Sequence, residues 1–237
     1  EKSVENAICM HEEDYGIQWK HYDSESQTSE ARRSRRLVIS SIFTIGNYDY
    51  GFYWYLYLDG TIQMEIKLTG IVGVSAVTEA THNPAQSPLI AEGLASPVHQ
   101  HVFCFRLDWE LDGGPNAIYE SQIEVLPISD TNPDGTQFQS VSTHLVDEAS
   151  AKRNVYPERS RHWKVVNPAS LNGLGKPVSY KLLPAGSPTL LAAEQSVVSR
   201  RGAFGKHHLW VTPYVEDELN AAGAHTVMHN GGGLPEY

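Results

Sequence analysis

Two histidines separated by a single residue, His99 and His101, are the side chains of this sequence best placed to bind a metal ion together. Apolar and polar residues alternate through 98–111, which predicts a strand. Side chains two positions apart would leave the same face, with α-carbons roughly 6.6 Å apart. Imidazole pairs suit copper, zinc, iron or nickel. Histidines that continue a buried face are also typical of satisfied core or rim positions, so this spacing leaves a metal site and a structural pair both open.

A second stretch that could carry chemistry is TIGNYDY, residues 44–50, between the apolar run LVISSIF and the aromatic run GFYWYLYL. Tyrosine favours strands and Gly46-Asn47 favours a turn, so the plain interpretation is a turn between two strands. Under that interpretation Asn47 and Asp49 are turn residues only. The alternative is that one of the tyrosines, among them Tyr48, is chemically special.

The elements that must position these residues are strands. The clearest signal covers 37–76, where Asp59-Gly60 joins two alternating runs in a way that favours a type I′ hairpin. Residues 77–97 are predicted to form a loop. The alternation also predicts that six apolar side chains are largely buried, namely Phe52, Trp54, Ile62, Met64, Phe103 and Phe105.

Further short strands and two short helices complete the prediction. The strands fall at 118–126, 140–146, 162–166, 177–182 and 208–214, and the helices at 148–154 and 190–199. Short strands separated by Pro, Gly and Asn clusters predict an all-β fold, a large antiparallel β-sandwich, rather than alternating α/β units. We expect 1–237 to be a single partial domain, because the start lacks Met and the tail HNGGGLPEY is loop-like.

The composition of the chain argues against a membrane-spanning helix and against general nucleic-acid binding. Hydrophobic content of 41% predicts a globular chain, and no run approaches the ~18 to 20 apolar residues of a membrane helix. The net charge of −10 argues against a sequence-independent nucleic-acid binder, because phosphates would be repelled. The basic run 32–36 is expected to be a solvated loop or a salt-bridged strand entry. The acidic start shows no secretory signal, which leaves the compartment unknown, with cytoplasm or peroxisome favoured.

The two stretches together resemble the signatures of the copper-containing amine oxidases. TIGNYDY matches the family pattern T-x-x-N-Y-D/E-Y/N, and His99-Gln100-His101 follows about fifty residues later, as the family's H-x-H copper motif does. Other segments match in the same order along the whole chain, including ICMHEEDYG, GFYWYLYLDGTI, RLDWELDG, WKVVNP, LWVTPY and GGGLPEY. The resemblance is therefore to the central part of that family's catalytic domain.

The resemblance implies an activity and a set of site residues. Tyr48 would be the tyrosine that copper and O2 oxidise in place to the quinone of 2,4,5-trihydroxyphenylalanine, called topaquinone. Asn47 and Asp49 would flank that ring and hold its orientation, while His99 and His101 would bind copper(II). Primary amines would be deaminated to aldehyde, ammonia and hydrogen peroxide, with O2 as oxidant, by a protein that forms homodimers.

The resemblance also places several partners of these residues elsewhere. The third copper histidine would lie beyond the segment GGGLPEY, and the proton-abstracting Asp and the disulfide partner of Cys9 would lie upstream. Asp108 aligns with a ligand of a second, peripheral calcium-like ion, or is a solvated strand carboxylate. The isolated 237-residue chain is therefore expected to be inactive. A non-catalytic β-sandwich fragment is the alternative function, and a hydrolase using His99 and His101 is disfavoured because no third ligand or general base stands out.

Overall fold

The computed structural model describes residues 4–216, and almost all regular structure within them is antiparallel sheet. The chain divides into two compact units, Glu1–His99 and Gln100–Tyr237. The predicted all-β, antiparallel character is confirmed. The expectation of a single domain stays a prediction.

The first unit contains a four-stranded antiparallel meander and a small three-stranded sheet. The meander runs in the order β1-β2-β3-β4, with strands β1 (Cys9–Asp23), β2 (Thr28–Ile45), β3 (Tyr48–Tyr57) and β4 (Ile62–Gly70). The small sheet has the order β5-β7-β6, with β5 (Ser75–Ala76), β6 (Leu89–Ala91) and β7 (Leu94–Ala95). Sequential strands pair with each other in the meander, as short connections require.

The second unit is built on a four-stranded antiparallel sheet of order β12-β11-β8-β9. Its strands are β8 (Ala117–Val125), β9 (Phe138–His144), β11 (His162–Leu171) and β12 (Pro177–Leu182), and a separate pair joins β10 (Lys152–Arg153) to β13 (Leu209–Trp210). The helical elements of the described residues are α1 (Val197–Arg201) and the 3-10 turns Pro157–Arg159 and Ala203–Lys206. No helix in residues 4–216 is long and apolar enough to cross a membrane.

The turn between β3 and β4 differs from the predicted type I′ hairpin. Type I′ requires positive φ at both central residues, whereas Leu58 and Asp59 have negative φ and Gly60 has φ of 84°. The Gly60 N–H donates to the carbonyl of Tyr57 at 3.1 Å, and the Tyr57 N–H donates to that of Thr61 at 3.0 Å. The connection is therefore a three-residue loop closed by a glycine, and the prediction of a two-residue turn was wrong.

The strand predicted over 98–111 is absent, since residues 96–110 carry no regular structure. Instead of a backbone ladder, the side chain of Gln100 makes hydrogen bonds to a distant stretch of the chain. The Gln100 amide donates to the carbonyl of Thr189 at 3.0 Å and accepts from the N–H of Leu191 at 2.8 Å. An alternating pattern predicts a strand only where a neighbouring strand supplies the ladder, and no strand of residues 4–216 pairs with this segment.

Other sequence predictions were partly correct. Strands at 118–126, 140–146, 162–166 and 177–182 are confirmed, while the one at 208–214 is reduced to β13. The helix at 148–154 is wrong, because that stretch holds a turn and β10, and the helix at 190–199 is replaced by the five-residue α1. Strand β1 was not anticipated, since its charged residues interrupt any apolar alternation.

The six apolar side chains predicted to be largely buried are exposed or only half-buried. Ile62 is 46% and Phe105 37% exposed, and the other four apolar side chains expected in the core are only half-buried. The tyrosine face instead holds Tyr55, 1% exposed, directly opposite Val38, 0% exposed. The Arg36 guanidinium lies 3.7 Å from the Tyr55 ring centroid, a cation–π contact that covers this face. Tyrosine's hydroxyl made the face look polar in the sequence, yet its ring is what is buried.

The basic run 32–36 lies in β2 and is paired with acidic residues of β1, which confirms the salt-bridged strand interpretation. Glu13 accepts from the Arg36 guanidinium at 2.7 Å, and further ion pairs join Asp14 to Arg33 and Glu12 to Arg35. Hydrogen bonds from Arg36 and then His11 lower the pKa of Glu13. The charges of this run are therefore engaged within the hairpin.

A buried carboxylate lies against the small core of the second unit. Glu120 is 5% exposed and Trp163 is fully buried, and the Trp163 Nε1–H donates to Glu120 Oε2 at 3.0 Å. Arg153 Nε donates to the same oxygen at 2.7 Å, while Arg161 Nε lies 3.2 Å from Oε1. Burial by itself raises the pKa of Glu120, but the hydrogen bond and charge of Arg153, followed by the charge of Arg161, outweigh it and lower that pKa.

Replacing Glu120 by glutamine should therefore destabilise the protein. We expect the free energy of unfolding to fall by about 3 kcal/mol, the lower end for a buried pair, because the two guanidinium groups that would lose their counter-charge are 31% and 18% exposed. Urea denaturation followed by tryptophan fluorescence measures the change. The matched control is Glu124→Gln, whose partner Arg159 and own side chain are 44% and 39% exposed, and which should cost about 0.5 kcal/mol or less. Equal losses in the two variants would contradict a structural role for the buried pair.

Candidate functional site

Tyr48 is held at the first position of β3 by a close backbone approach. It pairs with Ile45 on one side and with Gly70 on the other. Gly70 has φ of 97°, and a Cβ there would lie 2.5 Å from the Asn47 carbonyl oxygen. Only glycine fits such a position without moving the backbone, so Gly70 lets the chain before and after Tyr48 pack tightly.

The turn residues on either side of Tyr48 are also fixed by hydrogen bonds. Gly46, with φ of 62°, and Asn47 form the predicted turn between β2 and β3, which is confirmed. The Asn47 carbonyl accepts from the Ile71 N–H at 2.7 Å, and Thr44 Oγ1 donates to Asp49 Oδ1 at 2.5 Å. These contacts give Asn47 and Asp49 a structural role. Their orientation of a quinone ring stays a prediction.

The Tyr48 side chain is half-buried and lies beside His99. The two ring centroids are 5.7 Å apart with an interplanar angle of 51°. The Tyr48 hydroxyl oxygen accepts a hydrogen bond from the Gly73 backbone N–H at 3.1 Å. The structure therefore brings together the two residue types, phenol and imidazole, that the sequence marked separately.

The tautomer of His99 follows from its hydrogen bond. Nδ1 lies 2.8 Å from the carbonyl oxygen of Pro97, and a carbonyl can only accept, so Nδ1 carries the hydrogen. The other ring nitrogen, Nε2, then presents its lone pair. A ligating histidine is commonly oriented in this way, by donating its second N–H to a carbonyl. His99 thus fits the donor chemistry of a copper ligand.

His101 and Asp108 lie in the irregular segment 96–110 of the chain. His101 is half-buried and Asp108 is exposed. Because this segment is not a strand, its backbone does not place His99 and His101 on one face. Their joint binding of a metal stays a prediction. So does the second ion at Asp108, because residues 4–216 contain no group of three His, Cys, Asp or Glu side chains arranged to hold a metal.

Some residues important to the predictions lie outside the described part of the chain, among them the segment GGGLPEY. Cys9 and Cys104 lie in the described part of the chain and form no disulfide bond there. Sequence reasoning missed Gly73 and Pro97, which contact Tyr48 and His99 through backbone groups. It also missed Ser96, whose hydroxyl donates to the Gly73 carbonyl. The sequence carries no signal for such contacts, because any residue supplies an N–H or a carbonyl.

An all-β chain in which a half-buried tyrosine lies against a histidine of fixed tautomer defines a candidate metal and tyrosine site. The family model described as "Copper amine oxidase, enzyme domain" matches residues 1–237. The chain belongs to the copper amine oxidase family.

Individual relatives agree with this assignment. The chain is 49% identical over 237 residues to the histamine oxidase of Arthrobacter globiformis, covering 100% of this chain and 34% of that protein. It is 44% identical over 229 residues to a primary amine oxidase of Arthrobacter sp. (strain P1), covering 97% and 35%. The chain thus spans about one third of the length of the curated relatives it matches.

A solved structure supports the fold. The copper-containing benzylamine oxidase from Hansenula polymorpha superposes with a TM-score of 0.86 at 28% identity, covering 93% of this chain and 35% of that one. This likeness confirms the predicted fold class, the antiparallel β-sandwich of the copper amine oxidase catalytic domain.

Proposed function

We propose that this chain is part of the catalytic domain of a copper- and topaquinone-dependent primary amine oxidase. The balanced overall reaction converts R-CH2-NH2, O2 and H2O into R-CHO, NH3 and H2O2. The observation that carries the proposal is the 5.7 Å approach of the Tyr48 and His99 rings, within a chain whose whole length matches the family. The family brings copper and a tyrosine-derived quinone as the expected cofactors.

Tyr48 is the residue proposed to become the quinone. Its conversion adds two oxygen atoms to the ring and removes two hydrogens, which balances as one tyrosine and two O2 giving one topaquinone and one H2O2. His99, His101 and a third ligand would hold copper, which would supply the oxidising chemistry. A quinone at Tyr48 would supply an electrophilic carbonyl and two-electron redox chemistry, which no ordinary side chain offers.

The chain's own residues supply positioning in this scheme. Gly70 and the Asn47 carbonyl fix the backbone on both sides of Tyr48, and the Pro97 carbonyl sets the His99 tautomer. Asn47 and Asp49 are proposed to flank the ring and limit its rotation. Fixed geometry of this kind accelerates a reaction because the reacting groups do not have to be ordered in each cycle.

We also propose a second metal site, an oligomeric state and a location in the cell. Asp108 would contribute to a peripheral calcium site, which its exposed carboxylate allows. The working form would be a homodimer. Two relatives, from Nicotiana tabacum and Pichia angusta, have names that include the word peroxisomal, which supports an intracellular location in peroxisome or cytoplasm. A non-catalytic β-sandwich is not favoured, because the matched relatives are named as oxidases.

Oxygen uptake by the full-length, copper-loaded protein tests the proposed activity. With aliphatic and aromatic primary amines we expect sustained O2 consumption, with hydrogen peroxide and ammonia released in equal amounts. Secondary and tertiary amines are the matched controls and should give none, because the reaction requires a free NH2 group. Copper-replete protein that consumes no O2 with any primary amine would show that the site serves another purpose.

A further inference from the structure

We infer that Gly73 and Ser96 form a positioning pair that holds the Tyr48 oxygen in place and ties it to the segment that carries His99. This inference rests on the proposed function, since it assigns a role in making the Tyr48 quinone. It adds two residues that lie outside both sequence signatures.

The first contact fixes the Tyr48 oxygen. The Gly73 N–H donates to Tyr48 Oη at 3.1 Å, from a backbone position just after β4. A backbone donor has little freedom to reorient, so it fixes the oxygen end of the ring more firmly than a long side chain could. Gly73 also lacks a Cβ, and one built there would lie 3.1 Å from Tyr48 Oη and 3.9 Å from Cζ. A residue larger than glycine would therefore press directly on the phenol oxygen.

The second contact fixes Gly73 itself. Ser96 Oγ donates to the Gly73 carbonyl at 3.0 Å, so that Gly73 is hydrogen-bonded through both its N–H and its carbonyl. Ser96 lies three residues before His99. The Ser96 hydroxyl thus couples the position of Gly73 to the segment that presents the imidazole.

That segment is anchored in turn. The Ser96 N–H donates to the Pro88 carbonyl at 3.1 Å, and the Val98 N–H donates to the Gln86 carbonyl at 2.9 Å. His99 donates to Pro97 within the same segment at 2.8 Å. The hydrogen bonds therefore form a continuous path from the anchored loop through Ser96 and Gly73 to the Tyr48 oxygen.

The expected consequence is a defined geometry between the Tyr48 oxygen and a metal on His99. Loss of the Ser96 hydroxyl removes one hydrogen bond and lets Gly73 shift. In Ser96→Ala we expect the quinone to form roughly two- to tenfold more slowly, the range for one neutral hydrogen bond. In Gly73→Ala the new Cβ displaces the oxygen, so we expect a slowing at least as large. Ser96→Thr keeps the hydroxyl and should restore the rate to within about twofold.

The experiment adds copper(II) to metal-free, full-length protein in air and follows visible quinone absorbance, with the rate normalised to bound copper. Gly186→Ala is the matched glycine control, since a Cβ there meets nothing within 4 Å and, like Gly73, it has no positive φ. The melting temperature of each variant is measured alongside. A merely structural role would lower the melting temperature and leave the normalised rate unchanged, which would overturn the inference.

Hydrogen exchange in the metal-free protein provides a readout that needs no quinone. The Gly73 amide should exchange roughly two- to tenfold faster in Tyr48→Phe, which lacks the accepting oxygen. Unchanged exchange would overturn the contact on which the inference depends. If the amide is protected but unmodified protein forms no quinone, the proposed function has failed and the assigned role fails with it. If the quinone forms equally fast in Ser96→Ala, Gly73→Ala and unmodified protein, the positioning role alone has failed.

Discussion

Replacing Tyr48 by phenylalanine should abolish the quinone while leaving copper bound. The phenyl ring lacks the oxygen from which oxidation begins, yet it keeps the shape that packs beside His99. We expect the yield of phenylhydrazine adduct to fall to background and amine oxidation to be lost with it. Copper content, measured after dialysis, should stay at the level of unmodified protein, because in this account the histidines hold the metal.

The matched control for this experiment is Tyr50→Phe. Its ring centroid lies 6.5 Å from that of Tyr48, on the same strand, so it tests a neighbouring tyrosine in nearly the same surroundings. We expect that variant to form the quinone. A normal adduct yield in Tyr48→Phe, or its loss in Tyr50→Phe alone, would mean that another tyrosine is the precursor.

Removing either histidine of the H-x-H pair should eliminate both copper and quinone. Alanine at His99 deletes Nε2, the nitrogen proposed to bind copper, along with the Nδ1–H that donates to the Pro97 carbonyl. Alanine at His101 deletes the second proposed ligand. Because the proposed self-processing of Tyr48 requires the metal, neither variant should develop visible absorbance after copper is added. Metal analysis after dialysis, together with phenylhydrazine titration, measures both losses.

A histidine outside the site provides the control for these variants. His162 begins β11, its Nδ1 lies 3.1 Å from the Ser160 carbonyl, and it belongs to neither signature. His162→Ala should therefore keep full copper and quinone. If His99→Ala and His101→Ala also kept both, the pair would be structural, which is the interpretation that the spacing alone left open.

The sequence predicted the meander well where local patterning and turn residues act together. Strands β3 and β4 alternate strongly and β2 carries the apolar run LVISSIF. The three are joined by Gly46-Asn47 and by the loop that ends at Gly60. Strand β1 was missed because ion pairs with β2 stabilise its pairing, and such partners are known only once the chain is folded. The strand predicted at 98–111 was wrong because, although its residues alternate, no strand in the described part of the chain pairs with it.

The sequence predicted the main residues of the candidate site but not the contacts that hold them. Tyr48 and His99 could be paired only through resemblance to a family, because 50 intervening residues separate them and no periodicity relates them. The contacts through Gly73, Ser96 and Pro97 could not be predicted, since they use backbone groups or a hydroxyl common to many loops. Burial on the meander was misjudged because Tyr55 combines an apolar ring with a polar hydroxyl, which donates to Glu65 at 2.6 Å.

The central claim, that Tyr48 becomes topaquinone, is tested most directly by peptide mass mapping of the full-length protein before and after copper is added in air. The account predicts that, after phenylhydrazine labelling, the adduct maps to the peptide containing Tyr48. In unlabelled protein that residue should have gained two oxygen atoms and lost two hydrogens, with no change in the metal-free sample. An unmodified Tyr48 in copper-replete protein, or a quinone located on another tyrosine, would contradict the account.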